Sequence, residues 1–168
     1  MAADQLAQVE ISVEVNGTVV ERVVEPRTLL VDFLREDLGL TGTKQSCLLE
    51  VCGVCTVLVD GRPVSSCTSL AVDADGHKVT TVEGLSDGKT MHPLQESFVD
   101  NHALQCGFCT PGFLMMSKAL LDESPDVDRE EIVEYLDGNI CRCTGYQPIV
   151  QAVEQVAAQM RQEREVAR

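Results

Sequence analysis

Four cysteines between Cys47 and Cys67 constrain this chain more than any other feature. They form a C-x4-C-x2-C run at Cys47, Cys52 and Cys55, with one further cysteine at Cys67. Thiolates at this spacing hold a [2Fe–2S] cluster. Three ligands on one short loop converge only if the loop wraps a common centre, and the fourth closes the cage. Asp60-Gly61, a two-residue turn signal, lies between Cys55 and Cys67 and brings the last ligand back. Residues 47 to 67 are therefore expected to fold around iron and sulfide.

A second set follows. Cys106 and Cys109 form a C-x2-C, and Cys141 and Cys143 form a C-x-C. Each pair precedes a predicted helix. If those two helices enter a bundle from the same end, the four thiolates meet there. Helix N-termini favour negative charge and so stabilise thiolates and an anionic cluster. The amides of Gly107, Phe108, Arg142 and Thr144 are placed to donate to the sulfurs. Plain burial does not explain a C-x2-C beside a C-x-C, although a free cysteine does pack as a small hydrophobe. Structural zinc also uses C-x2-C pairs. For this second set, spacing leaves iron–sulfur and zinc both open.

The chain has 168 residues, long enough to bury about 70 % of its unfolded surface, so disulfides are not needed to stabilise it. Met1 to Glu10 shows neither a basic flank nor an apolar run. A secretory signal is therefore not expected, and a cytoplasmic location with reduced thiols is. No apolar run reaches membrane-spanning length. A net charge of −14 disfavours nucleic acid as a partner. It serves solubility or an acidic docking face equally well.

The pattern around the cysteines divides in two. Val9, Ile11, Val13 and Val15 alternate with polar residues and predict a half-buried strand. Asn16-Gly17 predicts a hairpin, and residues 18 to 24 the returning strand. Leu30, Phe33, Leu34 and Leu38 recur at helical spacing before Gly39. Thr56–Val59 and Val79–Val82 read as further strands. Strand, strand, helix, ligand loop, strand, strand is a β-grasp order.

No strand pattern appears after Gly84-Leu85-Ser86-Asp87-Gly88, a stretch of small and polar residues. Helices are expected over His92–His102, from Thr110-Pro111 onward, over Asp126–Asp137, and over residues 148 to 160. Thr110 is read as an N-cap with Pro111 at N1, and Gly138 as a C-cap. The inward faces are Phe113, Met116 and Leu120, then Ile132, Val133 and Leu136, then Ile149, Val150, Val153, Val156 and Met160. Residues Arg161 to Arg168 are expected to fray. The fold class is thus α+β, with domains over residues 1–84 and 92–168 joined by a linker over 85–91, the second domain a four-helix bundle.

The remaining residues carry little chemistry. His77, His92 and His102 share no metal-like spacing, and are read as a turn residue and two helix-surface residues. Met115 and Met116 fit a core better than a binding surface. Lys44 reads as a solvated lysine beside the cluster loop. No nucleophile triad, P-loop or dinucleotide fingerprint is present, and no substrate-pocket chemistry is identifiable.

Four motifs together carry a family resemblance. They are Gly42-Thr43-Lys44, Cys52-Gly53-Val54-Cys55-Thr56-Val57, Gln105 through Gly112, and Gly138-Asn139-Ile140-Cys141-Arg142-Cys143-Thr144-Gly145-Tyr146. In this order they resemble the iron–sulfur subunits of the xanthine oxidase family, the molybdenum hydroxylases, from about Val9 to Val156. The resemblance implies a plant-type ferredoxin-like domain with one [2Fe–2S] cluster and a helical domain with a second. It implies that Gln105 and Cys143 approach a molybdopterin cofactor. That cofactor and FAD are expected on partner chains, a large molybdopterin-binding subunit and a medium FAD-binding subunit. Electrons would pass from molybdenum through the helical-domain cluster and the ferredoxin-like cluster to FAD. A dimer of heterotrimers is one assembly of this kind. A stand-alone two-cluster carrier is the alternative.

The first loop departs from the family pattern. Ser46 and Glu50 stand where glycine or another small residue is usual, and Leu48 and Leu49 replace small or polar residues. Val54 replaces the usual alanine. A bulkier, more apolar loop and the charge of Glu50 would both lower the potential of the first cluster.

Overall fold

The structure is a computed structural model and describes residues 7–167. Its first half is a five-stranded mixed sheet. The strands are β1 (Val9–Val15), β2 (Thr18–Val24), β3 (Thr56–Val59), β4 (Arg62–Ser65) and β5 (Lys78–Thr80). Their spatial order is β2-β1-β5-β3-β4, with β1 and β5 parallel and the other pairs antiparallel. Both predicted turns form as expected. Asn16 and Gly17, and likewise Asp60 and Gly61, take positive φ, as a two-residue hairpin turn requires.

The alternation in β1 holds from Ile11 onward, whereas Val9 at the start of the strand is exposed. Ile11, Val13 and Val15 are buried against the helical segment, together with Phe33, Leu34, Val57 and Val79. Burying one such side chain stabilises a fold by roughly 1.5–3 kcal/mol. That segment differs from the expected helix. α1 (Leu30–Asp32) is a single turn, and it continues as a π-helical turn over Phe33–Asp37 closed by Leu38 N–H to the Phe33 carbonyl. The wider turn lets adjacent Phe33 and Leu34 both face the sheet.

Two strand boundaries also differ from expectation. The last strand is Lys78–Thr80, and Val82 instead opens a 3₁₀ turn over Val82–Leu85. β4 was not apparent in the sequence because it contains Pro63, which lacks a ladder donor. It tolerates proline because it lies at the sheet edge.

The second half contains α2 (Pro93–Asp100), α3 (Thr110–Glu123), α4 (Arg129–Leu136) and α5 (Gln147–Val166). Phe98, Phe113, Met115, Ile132, Ile149 and Val153 form its core. Leu58 of β3 and Leu85 join that same core. β3 is therefore buried on both faces, with Val57 in the sheet core and Leu58 in the helical one. The two halves pack together through this strand.

Several helix details correct the sequence reading. His92 is not a surface residue but the half-buried N-cap of α2, in a capping box with Gln95. Thr110 is the first helical residue of α3, and Cys109 is the cap. Gly138 is not a left-handed C-cap. α4 ends instead in a turn through Asp137 N–H to the Glu134 carbonyl. Val133 is exposed, because Ile132 and Leu136 alone supply the inward stripe of a short helix. Met116 is only partly buried. α5 continues past Arg161 to Val166, and Arg161 donates to the Pro125 carbonyl at 2.7 Å; of the stretch expected to fray, Arg168 lies outside the described residues. Among the described residues, no helix is long and apolar enough to cross a membrane.

Candidate metal centres

The first cysteine loop is held from both ends by α1 and the π-helical turn that continues it. Arg35 donates to the carbonyls of Thr41 (2.9 Å) and Thr43 (2.7 Å), which fixes the chain entering Cys47. Val31 N–H donates to the Ser66 carbonyl at 3.0 Å, which fixes the residue before Cys67. Lys44 donates to the Thr41 carbonyl at 2.8 Å, in an exposed hydrogen bond. Inside the loop, Leu48 (φ 56°), Glu50 (φ 58°) and Gly53 (φ 68°) are left-handed. This alternation aims amides inward: Leu49 and Val51 N–H both donate to Cys47 Sγ at 3.4 Å. The conformation costs a non-glycine residue roughly 1–2 kcal/mol, and here two bear it.

The thiols meet in pairs. In the first group Cys47 lies against Cys52, and Cys55 against Cys67 with Cys52 nearby. In the second, Cys143 Sγ is 3.6 Å from Cys106 Sγ, and Cys109 lies against Cys141. α3 and α5 thus bring their preceding loops to one place, as the spacing suggested. Among the described residues, no three His, Cys, Asp or Glu side chains close on a single point as one metal ion requires. Two pairs of sulfurs suit a centre that shares four thiolates between two irons.

The environments of the sulfurs differ sharply. The amides of Leu49 and Val51 lower the Cys47 thiol to about 6. Burial and the neighbouring Cys67 push Cys55 up to about 12. Burial and Cys141 do the same for Cys109, also to about 12. Burial raises Cys141 too, but the Thr144 hydroxyl and amide and the Cys143 amide outweigh it, and the net shift is downward. Of the four amides expected to reach a sulfur, Thr144 N–H does so, at 3.5 Å from Cys141 Sγ. The amides of Gly107, Phe108 and Arg142 make no such bond in the structure. Each group thus contains a thiol that burial makes costly to ionise, Cys55 in the first and Cys109 in the second, a donor set that fits an iron centre supplying the compensating positive charge.

The two sites touch. Ile140 N–H donates to the Cys52 carbonyl at 3.0 Å, and Asn139 Nδ2 donates to the Gly53 carbonyl at 3.1 Å. Gly112, in the first turn of α3, lies against the same carbonyl; a Cβ there would stand 2.2 Å from it. One hydrogen bond therefore separates the backbone of Cys52 from the residue preceding Cys141. The sequence reading missed this contact, and also Arg35, Ser66 and Asn139. Three of the quoted motifs supply it, but nothing in a single sequence says that they meet.

Gln105 and Cys143 are both exposed at the rim of the second group. Leu104, Phe108, Ile140 and Tyr146 are exposed around it as well. Leu48 (49 % exposed), Leu49 (73 %) and Val51 (59 %) form a second apolar patch over the first group. An open groove of about 550 Å³ runs between the halves, and Glu50 is its only ionisable lining residue. It offers no acid–base pair.

Known proteins share this arrangement. Residues 13–84 match the 2Fe-2S iron-sulfur cluster binding domain family, and residues 81–154 match the [2Fe-2S] binding domain family. The nicotine 6-hydroxylase small subunit of Paenarthrobacter nicotinovorans is 55 % identical over 87 % of this chain and 88 % of its own. The caffeine dehydrogenase subunit gamma of Pseudomonas sp. (strain CBB1) is 49 % identical over 88 % of this chain and 90 % of its own. Among solved structures, quinoline 2-oxidoreductase from Pseudomonas putida 86 superposes with a TM-score of 0.86 at 50 % identity, over 89 % of this chain and 93 % of that one. Aldehyde oxidoreductase from Desulfovibrio desulfuricans ATCC 27774 gives 0.88 at 44 % identity, over 92 % of this chain but 17 % of that longer one. The second half thus matches an iron–sulfur family, which resolves the choice that spacing left between iron and zinc. The chain belongs to the xanthine oxidase family of molybdenum hydroxylases, as one of its two-cluster iron–sulfur electron-transfer subunits.

Proposed function

We propose that Cys47, Cys52, Cys55 and Cys67 hold one [2Fe–2S] cluster, and that Cys106, Cys109, Cys141 and Cys143 hold the other. Each cluster, when bound, supplies a one-electron redox site. The chain's own work is to position the sulfurs, aim amides at them, and keep the two loops in contact through Ile140 and Asn139. Gln105 and Cys143 face a molybdopterin cofactor on a large partner subunit. The apolar patch of Leu48, Leu49 and Val51 faces a medium subunit that carries FAD. The holoenzyme hydroxylates a carbon with oxygen from water, and two electrons leave one at a time through this chain. The chain itself has no substrate site and works in the cytoplasm.

One observation carries this reading over a stand-alone carrier. Apolar side chains are exposed around both cysteine groups, including Phe108 at 47 % and Ile140 at 48 %. A chain of net charge −14 has ample polar residues to cover such sites, and it leaves them apolar. Exposed apolar patches rimmed by polar residues mark interaction sites. Three of the four proteins named above are nicotine, caffeine and quinoline enzymes by name and the fourth is an aldehyde enzyme, a majority that favours an N-heterocyclic substrate for the large partner.

The test is co-purification from the native host with an affinity tag on this chain. Stoichiometric recovery of a molybdenum-containing and a flavin-containing subunit is expected, with N-heterocycle oxidation by the complex and none by the chain alone. Recovery of the chain by itself, with both clusters loaded, would establish the carrier instead.

A further inference from the structure

Thr144 sits between two chemically unlike partners. Its hydroxyl lies 3.1 Å from Cys141 Sγ. Its oxygen also accepts Tyr146 N–H at 3.2 Å. A hydroxyl has one proton to give. With the oxygen engaged by an amide, that proton is directed at the sulfur.

The local backbone exists to make this arrangement. Gly145 (φ 70°) and Tyr146 (φ 69°) are consecutive left-handed residues. They fold the chain back so that Tyr146 Oη accepts Cys141 N–H at 3.0 Å, while Tyr146 N–H reaches Thr144. The Tyr146 ring is in turn held edge-on against Phe113, with centroids 6.3 Å apart. A left-handed tyrosine is strained, and three contacts keep it there. Their combined effect is to lock Thr144 under Cys141.

Cys141 is buried, whereas Cys106 and Cys143 are exposed. A hydrogen bond to sulfur is stronger where water does not compete. Such a bond strengthens as the sulfur gains negative charge, so it favours the reduced state. We propose that Thr144 is a positioning residue that raises the reduction potential of the second cluster through its hydroxyl. Thr144 keeps its proton in both states, and the cluster changes by one electron. The inference rests on Cys141 being a ligand of that cluster.

The test is a redox titration of both clusters by electron paramagnetic resonance, in the protein as purified with its partners. Thr144→Val removes the proton donor and keeps the shape, and Thr144→Ser keeps the donor. At the wild-type midpoint of the second cluster, Thr144→Val is expected to shift the reduced-to-oxidised ratio about tenfold toward oxidised, equivalent to about 59 mV for one electron. Thr144→Ser should stay within a factor of about two. The first cluster's midpoint serves as the internal reference and should not move. An unchanged second midpoint in Thr144→Val, or an equal fall in Thr144→Ser, would overturn the proposal. So would loss of the second signal in both Thr144→Val and Thr144→Ala, since the hydroxyl would then hold the cluster instead of tuning it. Absence of a second signal in the wild type would instead refute the ligand assignment beneath it.

Discussion

Gly112→Ala tests whether the contact between the two cysteine loops is as tight as the structure has it. Alanine for glycine inside a helix ordinarily stabilises by up to ~1 kcal/mol. Here the added Cβ would fall 2.2 Å from the Gly53 carbonyl oxygen and 3.0 Å from Asn139 Nδ2. A carbon–oxygen contact needs roughly 3.3 Å, so the loop must withdraw by about 1 Å. Two hydrogen bonds then stretch past their useful range, Asn139 to Gly53 from 3.1 Å and Ile140 to Cys52 from 3.0 Å. Leaving the buried Asn139 amide and its partner carbonyl unpaired costs about 1–3 kcal/mol, and the second bond about 1 more. The steric term wins, for a net loss of about 1–3 kcal/mol. At 2–4 °C per kcal/mol for a chain of this size, the melting temperature drops by roughly 5 °C. The assay is thermal bleaching of the visible cluster absorption. Gly138→Ala is the control: no atom lies within 4 Å of its added Cβ, so it should melt within a degree or two of wild type. A Gly112→Ala protein as stable as wild type, or more so, would refute the packing argument.

Glu50→Gly removes a negative charge and a left-handed side chain from the first loop, and should raise the potential of that cluster; a redox titration showing no change or a fall removes the idea. Leu48→Gly relieves about 1 kcal/mol of backbone strain and should slow thermal cluster loss. Phe108→Ala should weaken association with the large subunit by about 2 kcal/mol, roughly 30-fold in Kd by titration calorimetry, with both clusters intact. Asp60 accepts the Lys78 amide and lies beside His77, which hold its carboxyl below the ordinary 3.8. A carboxylate lowered by folding stabilises the fold above the ordinary value and ceases to as pH falls through its folded value. Asp60→Asn should therefore melt below wild type at neutral pH, and the gap should close below about pH 4; a gap that is constant with pH would count against the assignment.

Most of the fold was legible because its signals are local. Asn16-Gly17 and Asp60-Gly61 encode their turns in two residues, and Ile11, Val13 and Val15 encode a face by alternation. What escaped depends on neighbours distant in sequence. β4 carries a proline that only an edge position permits. The π turn at Phe33 answers the sheet packed beneath it. Val133 looked inward by spacing, but a short helix has room for only a narrow stripe. The cysteines announced two centres through spacing, and the pairing of their sulfurs matches a binuclear design. The residues that shape those centres were silent. Arg35 acts through carbonyls, Asn139 through a contact 86 positions away, and Thr144 through a turn whose geometry requires a left-handed tyrosine.

The most direct measurement is the metal and sulfide content of the purified chain, read together with its paramagnetic signals after reduction. Two binuclear centres predict about four irons and four acid-labile sulfides per chain, with two distinct [2Fe–2S] spectra. About two irons with a single spectrum, or zinc in place of iron at the second group, would contradict it.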